Sequence, residues 1–128
     1  MSLGFGCYGD TSQSWDRLAA FFADGAAARP ALADLAAFVA RVAASPFARA
    51  GLCGMQSHYD LWVGLSGHLF DTPHLIITFD IDAQAFHFEY FDGSDKRWTR
   101  TATADDVYAV FERFVTKRAR WFRVPTPR

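Results

Sequence analysis

The stretch that decides the fold is residues 58–103, which read HYDLWVGLSGHLFDTPHLIITFDIDAQAFHFEYFDGSDKRWTRTAT. Apolar and polar side chains alternate along much of it, and a period of two is typical of half-buried strands. The alternation predicts four strands, at about residues 57–66, 74–82, 85–91 and 96–101. The turn-forming residues Asp92-Gly93-Ser94-Asp95 separate the last two. We therefore expect a four-stranded antiparallel meander.

The central hairpin has a predicted register. With Ala83-Gln84 as a two-residue loop, every cross-strand pair on the core side is apolar. These pairs are Ile81–Phe86, Phe79–Phe88 and Ile77–Tyr90. A slip of one residue would turn the same side chains to the other face of the sheet. On that other face, this register places Asp80 opposite His87 and Thr78 opposite Glu89.

Helical periodicity is found on both sides of the strands. The first helix is expected after Ser12 or Ser14, which can cap it, and to end at Gly25. A second begins near Pro30, where a missing N–H costs nothing, and ends before residues 45–46. A third is expected at about residues 104–122. The predicted fold is α+β, in the order α-α-β-β-β-β-α, with the helices packed on one face of the sheet.

Composition limits the class of protein. A chain of 128 residues with 51% hydrophobic and 21% charged residues is typical of one soluble domain, here residues 1–128 with an irregular 1–11 segment and a 123–128 tail. A net charge of -1 argues against nucleic-acid or membrane partners. There is no secretory signal pattern, so we expect a cytoplasmic protein, and the excess of Arg over Lys suits a bacterial source. Cys7 and Cys53 are expected to be reduced, although their spacing does not decide whether they ever pair.

Three polar residues of the predicted sheet suggest chemistry. Asp80 beside His87 would raise the basicity of the imidazole and fix its tautomer, as a general base requires, and Glu89 lies next to them along the strand. The alternative is a set of ordinary cross-strand charge pairs on a solvated face. Because no nucleophile or oxyanion hole accompanies them, we assign no catalytic residue.

A second group of residues could bind a metal ion. His58 and Asp60 share a predicted strand face, and His74 follows the next loop, which also contains His68 and Asp71. Zinc sites use about three such ligands with one open position. The spacing matches no known ligand signature, so exposed histidines are the simpler interpretation. We expect no metal and no cofactor.

Large apolar residues are expected among these charges. By the predicted alternation, Trp62, Ile76, Phe91 and Trp98 lie on the face opposite the core, with Arg100 beside them. Monomers seldom expose such a surface, and Trp surrounded by polar groups is typical of binding interfaces. The surface can be covered by a second copy, by another protein, or by the N-terminal and 46–56 segments of the chain itself.

The last helix carries a basic stripe, Arg113, Lys117 and Arg120. It either contacts nucleic-acid phosphates or an acidic partner, or it is a solvated face that suits the negative end of the helix dipole, which is the interpretation we favour.

The sequence favours a protein-binding module over an enzyme. We expect it to act through the mixed aromatic and charged sheet face, as a homodimer or with a specific protein partner, for example as an immunity-type antagonist. The alternative is a small-ligand-binding protein or hydrolase-like enzyme using His87 with Asp80 and Glu89, with a metal at His58 and Asp60.

Overall fold

The structure, a computed structural model, describes residues 10–93 and 97–123. Its helices are α1 (Trp15–Ala28), α2 (Ala33–Ala43), α3 (Pro46–Arg49) and α4 (Val107–Arg113), and its strands are β1 (Cys53–Ser57), β2 (Asp60–Gly64), β3 (His74–Asp80), β4 (Ala85–Phe91) and β5 (Trp98–Thr103). A 3₁₀ turn at Pro30–Leu32 precedes α2, and a π-helical turn at Phe114–Arg118 continues α4. Cys7, most of the irregular 1–11 segment and the tail beyond residue 123 lie outside the described residues.

The strands form one open antiparallel sheet in the order β1-β2-β3-β4-β5. This confirms the α+β class and the meander, but the described sheet has five strands where four were predicted. The predicted first strand is divided by a turn at residues 58–59, and His58 takes a left-handed φ of 56° there. The predicted strands begin at about residue 57, so β1 was not among them.

The hairpin of β3 and β4 has a different register from the predicted one. Its core-side pairs are Phe79–Phe86, Ile77–Phe88 and Leu75–Tyr90. The loop has four residues, 81–84: Asp80 Oδ1 accepts from the Ala83 N–H at 3.1 Å, and Gln84 Nε2 donates to the Ile81 carbonyl at 2.9 Å. A shift of two residues leaves every side chain on its original face, so the alternation alone could not exclude it.

The helices pack on one sheet face, as predicted. Their buried side chains join the core-side residues of the strands in one cluster, in which Phe86, Phe88 and Phe111 are fully buried. Ser14 caps α1 by accepting from the Arg17 N–H at 3.2 Å. The helix does not end at Gly25. A Cβ at that position would lie 2.7 Å from Tyr59 Cε1, so the glycine lets the β1–β2 turn pack against α1.

The two edges of the sheet differ. Along β1, Gln13 forms an isolated bridge with Gly54, and its Oε1 accepts from the Gln56 N–H at 2.9 Å. Trp15 Nε1 donates to the Leu52 carbonyl at 2.8 Å and fixes the start of α1 at the same edge. The opposite edge is β5, which pairs with β4 on one side, and no other described strand pairs with its outer side. Among the described residues, then, the β1 edge is covered and the β5 edge has no strand beside it.

Candidate functional site

One face of the sheet carries no helix of the described chain, and we call it the open face. Because side chains alternate along each strand, the register assigns its members. They are Cys53, Met55, Ser57, Asp60, Trp62, Gly64, His74, Ile76, Thr78, Asp80, Ala85, His87, Glu89, Phe91, Thr99, Thr101 and Thr103. The predicted face positions of Trp62, Ile76 and Phe91 agree with this register.

Four rings form a continuous row on the open face, Phe70, Trp62, His74 and Phe91, which we call the aromatic row. Trp62 and His74 stack with centroids 4.8 Å apart and planes 13° apart. His74 and Phe91 stack at 5.3 Å and 22°. Phe70 packs against Trp62 with ring centroids 5.0 Å apart and its plane tilted by 59°. The row crosses the three central strands, β2, β3 and β4.

The spacing of the row follows from the sheet. Neighbouring strands lie about 4.8 Å apart, which is close to the ring separations, so rings that stand upright on adjacent strands stack. His74 lies opposite Phe91 on one side and Gly64 on the other. Since Gly64 has no side chain, Trp62 can lean diagonally onto the imidazole. Stacked rings present their edges outward and their faces to each other.

A hydrogen bond fixes His74 within the row, and a charge pair lies at its Phe91 end. His74 Nδ1 lies 2.8 Å from the Thr72 carbonyl, which can only accept, so this nitrogen carries the proton. Arg97 places its guanidinium carbon 4.8 Å from the centroid of Phe91 and its Nη1 3.3 Å from Glu89 Oε2. The row thus ends in an exposed pair of opposite charges.

The β2–β3 loop covers part of the open face. Leu69 is fully buried next to Gly64, whereas Phe70 and Leu65 remain 42% and 49% exposed. The Thr11 N–H donates to the Gly67 carbonyl at 2.8 Å and ties the loop to the segment before α1. The 46–56 segment had been considered as a cover, but it forms α3 and the edge strand β1.

Trp98 and Arg100 are not on the open face, and the predicted placement of both is wrong. Trp98 pairs with Tyr90 and packs on Phe114 at 4.9 Å, and Arg100 pairs with Phe88, so both point to the helix side. The physical reason is that Trp98 and Ala102 are the only apolar residues of β5, and burying them together sets the phase of the strand.

The predicted pairing of Asp80 with His87 is also wrong. His87 lies between Thr78 and Thr101, and its Nδ1 is 3.5 Å from Thr101 Oγ1. Asp80 pairs with Ala85 and caps the loop, while Glu89 pairs with Ile76 across the sheet and with Arg97 by charge. The register therefore does not assemble the candidate general base.

The candidate metal ligands lie apart. His58 lies in the β1–β2 turn and Asp60 is the first residue of β2, whereas His74 starts β3 opposite Gly64, at the other end of β2. Within residues 10–93 and 97–123, no three His, Cys, Asp or Glu side chains are grouped so as to hold a metal ion. Burial raises the pKa of Asp60, and the charge of His58 acts in the opposite direction.

Two members of the row were not predicted to belong together. His74 was considered as a metal ligand, and Phe70 lies in a loop where no periodicity applies. The signal that could have found them is the direct pairing of His74 with Phe91, which requires the correct hairpin register.

Comparison with known proteins adds no identity. Protein-family models, curated proteins and solved structures give no match to this chain. None of the helices in the described ranges has the length and apolar character needed to cross a lipid bilayer. The class that fold and site define is an α+β domain with an open, aromatic sheet face.

Proposed function

We propose that the protein is a protein-binding module and that the aromatic row is its interface. The observation that carries the proposal is the row itself, four rings in contact on a sheet face over which no described helix packs. Phe70 is exposed and the other three rings are half-buried. Aromatic residues dominate the energetics of interfaces, and apolar patches that stay accessible mark contact sites. Because the stacked rings turn their edges outward, they suit a packed protein surface better than a base or a sugar, which would need a free ring face.

The partner we propose is a second copy of the chain. A two-fold interface must be self-complementary, because each copy offers the same patch. The Arg97–Glu89 pair at the end of the row gives each copy one charge of each sign, so that Arg97 can approach Glu89 of the other copy. Asp80 lies six residues from His74 along β3, or roughly 20 Å from the row. In a dimer centred on the row, the Asp80 carboxylates of the two copies can therefore stay far apart and need not repel each other.

Sedimentation velocity over a range of protein concentrations tests the proposal. We expect the wild type to sediment as a dimer and Trp62→Ala to sediment as a monomer with an unchanged far-UV circular dichroism spectrum. Phe91→Ala is a second variant in the same row. His87→Ala is the matched control, because His87 is on the same face but roughly 13 Å along β4 from Phe91, and it should leave the dimer intact.

Three results would count against a second copy as the partner. A wild type that stays monomeric at every concentration excludes self-association and directs the search to a different protein, as expected for an immunity-type antagonist. A dimer that survives both Trp62→Ala and Phe91→Ala places the interface elsewhere. If His87→Ala weakens the dimer as much as Trp62→Ala does, the row is not the centre of the interface.

A further inference from the structure

A groove of about 1130 Å³ lies on the helix side of the sheet, between β5 and α4. α4 follows β5 in the chain and runs back along it, so the π-helical turn lies beside the start of β5. There Phe114 packs on Trp98 at 4.9 Å, and Arg118 places its guanidinium carbon 5.8 Å from the centroid of the same indole. The groove reaches Ala85, Thr101 and Thr103 at the β5 side of the open face, but none of the four rings of the aromatic row lines it.

The walls of this groove are strongly basic. Five cationic side chains line it: Arg100, Arg113, Lys117, Arg118 and Arg120. The carboxylates in its lining are Asp106 and Glu112. Asp106 lies at the far end, with Oδ2 3.4 Å from Thr103 Oγ1. In a chain of net charge -1, this concentration of positive charge indicates an anionic ligand.

Arg100 completes the groove from the sheet side. Two residues of the predicted basic stripe, Arg113 and Lys117, lie on α4 and its π-helical turn, whereas Arg120 follows the turn with a left-handed φ of 56° and is not on the helix as predicted. Since Arg100 points to the helix side, it faces that stripe from the opposite wall, on β5. The π-helical turn, held by the Ala119 N–H donating to the Phe114 carbonyl at 2.8 Å, carries Lys117 and Arg118. Such turns recur at functional sites.

We propose that the groove binds an extended acidic segment of another polypeptide, which adds to the sheet as a strand beside β5. The outer edge of β5 pairs with no described strand, so its outward N–H and C=O groups can bond to an added strand. Every second side chain of that strand would point to the helix side, where carboxylates meet Arg100, Arg113 and Lys117. Nucleic acid fits less well, because the indole of Trp98 already packs against Phe114 and Arg118, contacts with which a stacked base would have to compete.

The probe is a fluorescein-labelled peptide of alternating glutamate and valine, with as many residues as β5, followed by fluorescence anisotropy. We expect it to bind, and its glutamine–valine counterpart to bind at least about tenfold more weakly, because charge complementarity supplies part of the affinity. N-methylation of every second amide should abolish binding if the peptide adds as a strand, provided that the methylated amides face β5. Two peptides are therefore compared, one methylated at the odd-numbered amides and the other at the even-numbered amides.

The protein variants are Arg100→Glu and Lys117→Glu, one on each wall. Each should raise the Kd of the acidic peptide by about tenfold, while Arg17→Glu, the same charge change on the exposed first turn of α1, leaves it unchanged. Tight binding that neither methylated peptide reduces would overturn strand addition. An oligothymidylate that binds more tightly than the peptide, or equal loss with Arg17→Glu, would overturn the proposed ligand. Neither result bears on the dimer, which is measured without ligand.

Discussion

The indole of Trp62 lies parallel to the imidazole of His74, with 4.8 Å between the ring centroids. The two residues are diagonal neighbours on β2 and β3, and they meet because the position directly opposite His74 is Gly64. A histidine that would ordinarily be assigned to chemistry thus serves as the central ring of a stacked row. Its Nδ1 proton, donated to Thr72, holds the plane of the ring for both of its neighbours.

The contact between these two rings should be measurable as a coupling energy. In a double-mutant cycle of Trp62→Ala and His74→Ala, we expect about 0.5–1.5 kcal/mol of interaction in the free energy of unfolding. The measurement is chemical denaturation at a low protein concentration, so that dimer formation does not add to the stability. A cycle of Trp62→Ala with His87→Ala is the control and should be additive. Equal coupling in both cycles would contradict a specific stack.

Much of the sheet was predictable because burial imposes alternation. The predicted third strand has the bounds of β4, Ala85–Phe91, since Phe86 and Phe88 must both reach the core. Ser14 was predictable as a cap from its hydroxyl and its position. These features depend on neighbours in sequence, and the pattern records them directly.

The candidate site was less predictable because it depends on pairing between strands. A two-residue shift of the hairpin preserves both faces, so the alternation could not show that His87 faces Thr78 instead of Asp80. The phase of β5 is set by Trp98 packing on Phe114, a contact distant in sequence. Local alternation of apolar and polar residues determines neither the hairpin register nor the phase of β5. Both decide which residues lie together on the open face.

Disulfide trapping can test the hairpin register. Residues directly opposite in an antiparallel pair have Cα atoms about 4.5–5.5 Å apart, within the range of a disulfide. We expect Thr78→Cys with His87→Cys, in a background where Cys7 and Cys53 are serine, to oxidise readily. The matched pair Asp80→Cys with His87→Cys is diagonal, at about 7–8 Å, and should oxidise slowly. Mass spectrometry under non-reducing conditions measures both. Faster oxidation of the Asp80→Cys/His87→Cys pair would support the register with the two-residue loop instead.

Gly64 should tolerate no larger side chain. An added Cβ would lie 2.9 Å from Leu69 Cδ2 and 3.0 Å from the Pro73 carbonyl oxygen, so Gly64→Ala should lower the free energy of unfolding by about 1–3 kcal/mol. Thermal and chemical denaturation measure the loss.

Truncation of Leu69 is the companion variant for Gly64. Leu69→Ala alone empties a fully buried site and should cost about 2–5 kcal/mol. Combined with Gly64→Ala, the total should be less than additive, because the new methyl group occupies part of the space. The double variant should still be less stable than the wild type, since the added methyl group remains too close to the Pro73 carbonyl oxygen. Strict additivity would show that the two groups do not meet.

Asp60 should make stability depend on pH in the direction opposite to a salt-bridged carboxylate. Burial raises its pKa above the ordinary 3.8, and the charge of His58 opposes this only in part. The folded state therefore binds a proton more readily than the unfolded chain does, and the stability contribution is full below the unfolded pKa. It is lost as the pH rises through the folded pKa. Asp60→Asn removes this loss, so the variant should gain on the wild type between acidic and neutral pH.

Chemical denaturation of both proteins at a series of pH values measures the difference between them. The difference in unfolding free energy should change over the interval between the unfolded and folded pKa of Asp60, and it should be constant above and below it. NMR titration of the Asp60 carboxyl carbon locates the interval independently. His58→Ala should raise the pKa of Asp60 further, because the opposing positive charge is gone, and should move the interval to higher pH. A wild type that gains on Asp60→Asn as the pH rises would show that charge pairing, not burial, dominates at this turn.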